Sequence, residues 1–422
     1  MPNESLRPTV LEVRLGQTLV GTITNLPNDL NLFLFDKTWI EDPDRPTLSQ
    51  YYFDVMGALR TRTEQVQMKV PAFFSNLLPE GVLRTYIAKL GRIHEQREFF
   101  LLWLLGQDLP GNVLIRDIEG RAVPPVSEAP ATGTPHRDQP VRQLLRFSLA
   151  GVQLKFSAIG GPKGLTIPTQ GMGGHWIVKL PSSQYPKVPE NEFAMMEFAR
   201  AVGIDVPARV GLMPVSSISG LPPEWSENSE NAFYIERFDR TPEGGRVHIE
   251  DFNQVYGQVP HDKYDRQSYT MMVRAIWRFL GEPALREFVR RLVFNAGIGN
   301  ADMHLKNWSL LYADGRNPQL APAYDFVSTI VYLPGDRKMA LSLAREKDTG
   351  KWNTDLLESF ARRAEVPTAP VMEAARTTAE AMADLWPKVR DKFPLDEPAR
   401  KAISYQMLHV PLLRDYVRGI SR

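Results

Sequence analysis

The sequence predicts an α+β protein in which a β-rich lobe is followed by a helical lobe. In the middle of the chain, short apolar runs are separated by glycines and prolines, as expected for strands joined by tight turns. Beyond Asp239, apolar residues recur three or four positions apart, which is typical of amphipathic helices. A Pro- and Ala-rich stretch precedes both lobes, and it cannot pack a core because it has almost no large apolar residues.

The N-terminal module, residues 1–118, is predicted to combine a small sheet with helices. Alternating apolar residues predict a hairpin over residues 11–23 and a third strand over residues 30–35. Helical spacing continues from residue 71 to residue 90 and again from residue 95 to residue 105. We therefore expect a small α/β subdomain here, joined to the lobes by a linker over residues 119–141.

The two lobes are predicted over residues 142–240 and 241–422. In the first lobe we expect strands over residues 175–180, 209–214 and 232–238, and a helix over residues 190–202 that ends at Gly203. The second lobe is predicted to be all helical. Its expected helices cover residues 248–256, 269–280, 283–295, 354–364, 371–385 and 397–408.

Composition excludes several classes of protein. The 50 basic residues nearly balance the 49 acidic ones, so no overall field draws the chain to nucleic acid or anionic lipid. Without cysteine there can be no disulfide framework and no thiolate metal site. The start of the chain lacks the pattern of a signal peptide, and no apolar run approaches the roughly 20 residues that span a bilayer. We expect a cytoplasmic protein with no membrane partner.

Polar groups suited to catalysis are concentrated between residues 292 and 328. Asp302, His304, Lys306 and Asn307 are predicted to share one loop, and Asp325 follows a short hairpin. Carboxylate and amide oxygens can hold a metal ion, and a carboxylate can also accept a proton. This stretch is therefore the candidate phosphoryl-transfer centre.

A kinase needs a proton acceptor, oxygen ligands for magnesium, a cation on the phosphates and a backbone platform that covers the phosphates. Asp302 and Asn307 have the spacing of the base and the metal-binding Asn in H-R-D-x-x-x-x-N, and Asp325 matches the Asp of D-F-G. Lys179 lies on an upstream strand, and Glu192 on the next predicted helix could pair with it.

Each match has a plainer interpretation on its own. Asp and Asn are common turn residues, so one such pair also fits a capped turn. His304 could be a scaffold imidazole that bonds the loop backbone, and Lys306 could neutralise phosphoryl charge or be an ordinary surface lysine. The motifs of P-loop NTPases, G-x-S-x-G hydrolases and zincins are absent from the sequence. The joint pattern of Lys179, Asp302 and Asp325 favours a kinase.

The chain resembles the HipA toxin kinases of bacterial toxin-antitoxin systems. The strings that carry the resemblance, in order, are WIEDPDRPTLS, FFSNLLPEG, DLPGNVL, FSLAGVQLKFS, IVKLP, ENEF, YIERFDR, HIEDF, GNADMHLKNWSLL and APAYDFVS. They extend over nearly the whole sequence. The resemblance implies a bilobal fold related to protein kinases and phosphoinositide kinases, with a β-rich N-lobe and a helical C-lobe.

The resemblance also implies roles for individual residues. Asp302 would be the catalytic base, Asn307 and Asp325 the magnesium ligands, and Lys179 the phosphate-binding lysine. A hinge at Glu236 and Phe238 would offer backbone groups to adenine, although Phe238 also fits a core aromatic. The phosphate-covering loop runs over residues 148–155, and the residues expected there are Ser148, as the autophosphorylation site, with Gly151, Val152, Gln153 and Lys155.

The implied activity is ATP- and Mg²⁺-dependent serine/threonine protein phosphorylation by a growth-inhibiting toxin. The family's targets include aminoacyl-tRNA synthetases, notably glutamyl-tRNA synthetase. Its usual partner is a small helix-turn-helix HipB-like antitoxin, through which operator DNA is bound. Two alternatives stay open: a catalytically weak kinase-fold subunit of a DNA-binding repressor complex, and a kinase fold that transfers AMP or phosphorylates a small molecule.

Overall fold

A computed structural model describes residues 7–54, 56–121, 155–161, 164–167, 174–221 and 230–418. The chain forms two compact units. The first unit comprises Met1–His175, Asp239–Pro260 and Tyr312–Asn317. The second unit comprises Trp176–Phe238, His261–Leu311 and Pro318–Arg422. The predicted linker lies outside the described residues from residue 122 onward, and the continuous domain boundaries proposed from the sequence stay a prediction.

Both units contain helices and strands among the described residues. The strands are β1 (Val10–Leu15), β2 (Thr18–Leu26), β3 (Leu30–Phe35), β4 (Glu64–Gln67), β5 (Val113–Asp117), β6 (Lys155–Gly161), β7 (Gly164–Thr166), β8 (Trp176–Lys179), β9 (Val210–Pro214), β10 (Ile218–Ser219), β11 (Asn231–Glu236), β12 (His248–Asp251), β13 (Ser309–Tyr312), β14 (Gln319–Leu320), β15 (Lys338–Leu343) and β16 (Glu346–Asp348). The helices are α1 (Lys37–Glu41), α2 (Ala72–Ser75), α3 (Gly81–Leu90), α4 (Glu98–Leu105), α5 (Val188–Val202), α6 (Phe252–Val255), α7 (Tyr269–Ile298), α8 (Thr354–Ala364), α9 (Thr368–Val389), α10 (Glu397–His409) and α11 (Pro411–Arg418).

In the first unit, a five-stranded antiparallel sheet has the order β4-β3-β2-β1-β5. Every second residue of β1 is buried, namely Leu11, Val13 and Leu15, as the alternating sequence predicted. These residues join one apolar core with Phe73 and Phe74 of α2 and with the buried face of α4. Each large apolar side chain buried in this way contributes about 1.5–3 kcal/mol.

A buried carboxylate, Glu250 of β12, joins three parts of the first unit. It accepts hydrogen bonds from Ser49 Oγ at 2.5 Å, from the Gln50 backbone N–H at 2.9 Å and from the Tyr312 hydroxyl at 2.5 Å. Burial raises the pKa of this carboxyl to about 7, although the three hydrogen bonds act in the opposite direction. Glu250 therefore changes its charge near neutral pH.

In the second unit, β11 lies between β8 and β9, with both pairs antiparallel. The long helix α7 contains one non-helical residue, Gly281 (φ 74°), which separates the two helices predicted from the sequence. An aromatic cluster forms where Phe198 of α5 contacts Phe294 of α7, Trp386 of α9 lies against Phe198, and Phe326 lies against Phe294. This cluster fixes the segment that carries Asp325.

Three predictions about secondary structure were wrong. The helix expected from residue 71 to residue 90 is broken between α2 and α3, because Pro79 disfavours helix at the preceding residue and has no N–H to donate. Residues 248–251 form β12 instead of a helix. Every second residue of this segment is buried, namely His248 and Glu250, as is typical of a strand. The segment 241–422 is therefore not all helical, and it also contains β13 to β16.

We expect Glu250→Gln to remove a pH dependence from the stability of the protein. The folded-state pKa of about 7 lies above the ordinary value of 4.5. The stabilisation from this proton is fully present below the lower value and is lost as pH rises through the higher one. The neutral Gln variant should therefore gain stability relative to the wild type, on the order of 2–3 kcal/mol, between about pH 5 and about pH 8.

Urea unfolding of the two proteins across this pH range measures the difference. Glu41→Gln, on the exposed face of α1, serves as the matched control and should show no such trend. A constant difference between Glu250→Gln and the wild type at all pH values would contradict the prediction.

Candidate active site

Lys179, the predicted phosphate-binding lysine, is the last residue of β8 and is buried. It lies opposite Phe233 of β11, and its Nζ is 5.8 Å from the centre of the Phe233 ring. An ammonium group removed from water in this way is costly unless carboxylates or other acceptors surround it. The fold must therefore bring acidic residues to the end of β8.

Glu192 and Asp325 supply these carboxylates. The Nζ of Lys179 lies 2.5 Å from Glu192 Oε1 and also donates to Asp325 Oδ1. Burial by itself would lower the pKa of Lys179, but Asp325 and Glu192 outweigh this effect and raise the pKa above its usual value. The lysine therefore remains charged at neutral pH, as the predicted role in phosphate binding requires.

Glu192 reaches the lysine from α5, where it is fully buried. The helix ends at Gly203, whose φ of 89° favours glycine, as the sequence predicted. Asn191, which directly precedes Glu192, forms two hydrogen bonds of 3.0 Å with the backbone of Ser328. Ser328 lies three residues beyond Asp325. One turn of α5 thus supplies Glu192 to the ion pair with Lys179 and, through Asn191, also fixes the loop that carries Asp325.

Asp325 adopts a left-handed backbone conformation with φ of 58°. Such a conformation is uncommon for a residue other than glycine, although Asp tolerates it better than most. The next residue, Phe326, is fully buried against Phe294. Burial of Phe326 and the bonds of Asn191 to Ser328 keep the turn in place, while the Asp325 side chain stays 28% exposed.

Asp302, the predicted base, lies in the loop that follows α7. Helix α7 ends at Gly299, which is left-handed with φ of 68°. The backbone N–H of Asp302 donates to Asn300 Oδ1 at 3.2 Å, and its carbonyl accepts from Asn307 Nδ2 at 3.0 Å. The Tyr264 hydroxyl donates to Asp302 Oδ1 at 2.6 Å. Both the main chain and the carboxylate of Asp302 are thus held.

Asn300 links the loop that carries Asp302 with the loop that carries Asp325; these are called the two acidic loops. While its Oδ1 accepts from the Asp302 N–H, its Nδ2 donates to Asn295 Oδ1 at 2.8 Å and to the Asp325 carbonyl at 3.3 Å. The residue is buried. The sequence interpretation did not assign Asn300 a role, although its position two residues before Asp302 was a signal that could have found it.

His304 and Lys306 lie between Asp302 and Asn307, and each is positioned by a tyrosine. The buried His304 ring is 5.0 Å from the Tyr264 ring in an edge-on arrangement. The Lys306 carbonyl accepts a hydrogen bond from the Tyr324 hydroxyl at 2.9 Å. Tyr264 and Tyr324 were both missed in the sequence interpretation, and Tyr264 gives no local signal because it lies 38 residues before Asp302.

The remaining predicted residues are found in different surroundings. The Glu236 carboxylate pairs with the Arg209 guanidinium, and the half-buried Phe238 ring lies 5.7 Å from the Tyr324 ring. Lys155 begins β6 in the first unit and is exposed. Four predicted residues lie outside the described part of the chain, namely Ser148, Gly151, Val152 and Gln153.

The candidate metal ligands fit a magnesium ion. Among the described residues, no group of three or more His, Asp or Glu side chains could hold a metal by itself. Magnesium does not require such a group, because it is usually bound by one or two protein oxygens together with water and phosphates. The Nδ2 of Asn307 is used in its bond to Asp302, so its amide oxygen is the atom suited to a cation.

Comparisons with known proteins agree over both halves of the chain. The model of the HipA N-terminal domain matches residues 11–116, and that of the HipA-like C-terminal domain matches residues 147–386. Y4dM of Sinorhizobium fredii, which is named as a candidate kinase, is 47% identical over 414 residues, 97% of this chain and 99% of that protein. The serine/threonine-protein kinase toxin HipA of Shewanella oneidensis is 25% identical over 378 residues, 80% of this chain and 79% of that protein.

One solved structure matches nearly the whole fold. It is the HipA, HipB and operator DNA complex of the Shewanella oneidensis MR-1 toxin antitoxin system, with a TM-score of 0.71 and 22% identity. The match covers 97% of this chain and 99% of the other. By class, the protein is a kinase, as the names of its relatives indicate. The chain belongs to the HipA family, since the C-terminal family model alone matches more than half of it.

None of the helices in the described part of the chain has both the length and the apolar character needed to cross a membrane.

We expect the buried ion pair to make Lys179→Met strongly destabilising. The substitution leaves the fully buried Glu192 without its cation, and breaking a buried pair in this way typically costs about 3–5 kcal/mol. Adding Glu192→Gln removes the buried charge, so the double variant should recover much of the loss.

Chemical denaturation of the wild type, both single variants and the double variant at neutral pH measures these differences. Lys388→Met, which removes an exposed lysine paired with Asp384, should unfold like the wild type. A Lys179→Met protein as stable as the wild type would contradict the prediction.

Proposed function

We propose that this protein is an ATP- and Mg²⁺-dependent serine/threonine protein kinase that acts as the toxin of a toxin-antitoxin module. The observation that supports the proposal is a continuous set of contacts from Glu192 through Lys179, Asp325 and Asn300 to Asp302. These contacts join a phosphate-binding cation, a metal-binding carboxylate and a proton acceptor, which are the groups that phosphoryl transfer requires.

In this proposal Asp302 accepts the proton of the acceptor hydroxyl. Asn307 and Asp325 would hold the magnesium ion, which neutralises charge on the phosphates of bound ATP. Lys179 is kept charged by its carboxylate neighbours, which suits it to hold the nucleotide phosphates. His304 acts as scaffold within the loop, and Lys306 supplies positive charge near the transferred group.

The nucleotide is proposed to be covered by the loop of residues 148–155. Gly151, Val152, Gln153 and Lys155 would provide the platform for the phosphates, and the backbone at Glu236 and Phe238 would contact adenine. The family resemblance of the sequence supports these assignments. Phosphorylation of Ser148 would place a dianion beside the nucleotide phosphates, so repulsion would push the loop away and stop catalysis.

We further propose a cytoplasmic setting, a HipB-like helix-turn-helix antitoxin as partner and operator DNA bound mainly through it. The structural match to a complex of HipA, HipB and operator DNA supports this part of the proposal. A translation component is the proposed target, with an aminoacyl-tRNA synthetase, glutamyl-tRNA synthetase in particular, as the first candidate.

The same structural match favours one second function, a catalytically weak kinase-fold subunit of a DNA-binding repressor complex. In that case the nucleotide site would be incidental. Phosphoryl transfer is therefore the property that separates the two proposals.

We expect Asp302→Asn to reduce phosphate transfer by about 10²–10⁴-fold, because the amide cannot accept the proton of the acceptor hydroxyl. Asp325→Asn should also abolish transfer by weakening metal binding, while both proteins keep their fold. Transfer from labelled ATP and phosphoproteomics after brief induction measure the effect, and Asp355→Asn at the exposed start of α8 is the matched control. Full activity of Asp302→Asn would remove the role proposed for Asp302, whereas repression with no phosphate transfer by the wild type would favour the second function.

We expect Ser148→Ala to abolish autophosphorylation and to make the kinase resistant to inactivation. The wild type should lose activity during preincubation with ATP, because the modified loop no longer covers the phosphates. Intact-protein mass and residual activity are followed over time in both proteins. A Ser148→Ala protein that loses autophosphorylation but is inactivated by ATP as fast as the wild type would contradict the switch.

A further inference from the structure

We propose that Tyr264 is a positioning residue that holds the carboxylate of Asp302 in its catalytic orientation. This inference rests on the proposed function, in which Asp302 is the base. The Tyr264 hydroxyl donates to Asp302 Oδ1 at 2.6 Å, a short distance that is typical of an O–H donor to a carboxylate. The two residues are 38 positions apart in the sequence.

The surroundings of Asp302 explain why a side-chain contact matters there. Its N–H is bonded to Asn300 and its carbonyl to Asn307, so the main chain is fixed on both sides. These bonds fix the main chain only, so the torsions of the carboxylate are set by contacts of the side chain itself. The bond from Tyr264 restrains rotation about these torsions.

Tyr264 is itself tied to the catalytic loop at more than one point. The carbonyl of the preceding residue, Lys263, accepts from the Leu305 N–H at 3.2 Å. The Tyr264 ring packs edge-on against His304, and Lys263 Nζ lies 5.6 Å from the centre of the ring. The phenol is therefore held by the same loop whose carboxylate it orients, so its hydroxyl has a defined position.

The rate of proton transfer depends on how well the orientation of the Asp302 carboxylate is fixed. A general base must lie within hydrogen-bonding reach of the acceptor hydroxyl, and small misplacements cost as much as 10²-fold in rate. Loss of the Tyr264 hydroxyl should therefore affect the chemical step. In the proposed function, nucleotide affinity depends on Lys179 and on the loop of residues 148–155. The affinity for ATP should therefore not change when the Tyr264 hydroxyl is removed.

The test compares Tyr264→Phe with Tyr264→Leu in the full-length protein, using ATP and the protein's own autophosphorylation or an identified protein substrate. Tyr264→Phe keeps the ring and removes only the hydroxyl, so kcat should fall about 10-fold with an unchanged KM for ATP. Tyr264→Leu should lose a similar factor in kcat and also have a lower Tm, because its packing against His304 is lost.

Tyr256→Phe is the matched control. It removes a buried tyrosine hydroxyl from the first unit that has no hydrogen-bond partner among the described residues, so kcat and KM should equal those of the wild type.

The outcomes separate the inference from the function on which it rests. If Tyr264→Phe has wild-type kcat while Asp302→Asn is inactive, Asp302 is the base but Tyr264 does not position it. A Tyr264→Phe protein that is faster than the wild type would also overturn the inference, because the hydroxyl would then compete with the acceptor for Asp302. If Asp302→Asn keeps full activity, Asp302 is not the base and the premise of the inference fails, whatever Tyr264→Phe does; if the wild type transfers no phosphate, the proposed function itself fails.

Discussion

The candidate site depends on one buried cation, the ammonium of Lys179. Lys179 on a β-strand meets Glu192 on a helix 13 residues further along the chain and Asp325 on a loop 146 residues away. A buried charge without partners costs several kcal/mol, and the carboxylates of Glu192 and Asp325 offset that cost for Lys179. Burial of the lysine among these carboxylates thus brings together the residues that are proposed to bind phosphate and metal.

Neutral amides carry much of the remaining organisation. Asn191, Asn300 and Asn307 bond the backbones of the two acidic loops without adding charge. A cation in the same positions would compete with a metal ion for the carboxylates, and an anion would repel them. Uncharged groups thus hold the main chain of both loops, while the carboxylates of Asp302 and Asp325 accept hydrogen bonds from Tyr264 and Lys179.

Polar contacts also organise the first unit, although its core is mainly apolar. Residues 312–317, which lie in sequence between the Asp302 and Asp325 loops, belong to this unit. There Tyr312 donates to Glu250, and Glu250 in turn accepts from Ser49 and Gln50 of the N-terminal module. Residues 312–317 are thus anchored within the first unit by a carboxyl group whose pKa is raised to about 7 by burial.

Much of this arrangement could be predicted from the sequence alone. Apolar periodicity placed β1, β3, β8 and α8 within one residue of their observed ends, since local spacing records which face of an element is buried. Motif spacing also placed Lys179, Asp302 and Asp325 in one hypothesis. Only the tertiary structure decided that residues 248–251 form a strand, that Asn300 joins the two loops and that Tyr264 contacts Asp302. The reason is that contacts between residues distant in sequence depend on how the elements pack, and local sequence patterns do not record that packing.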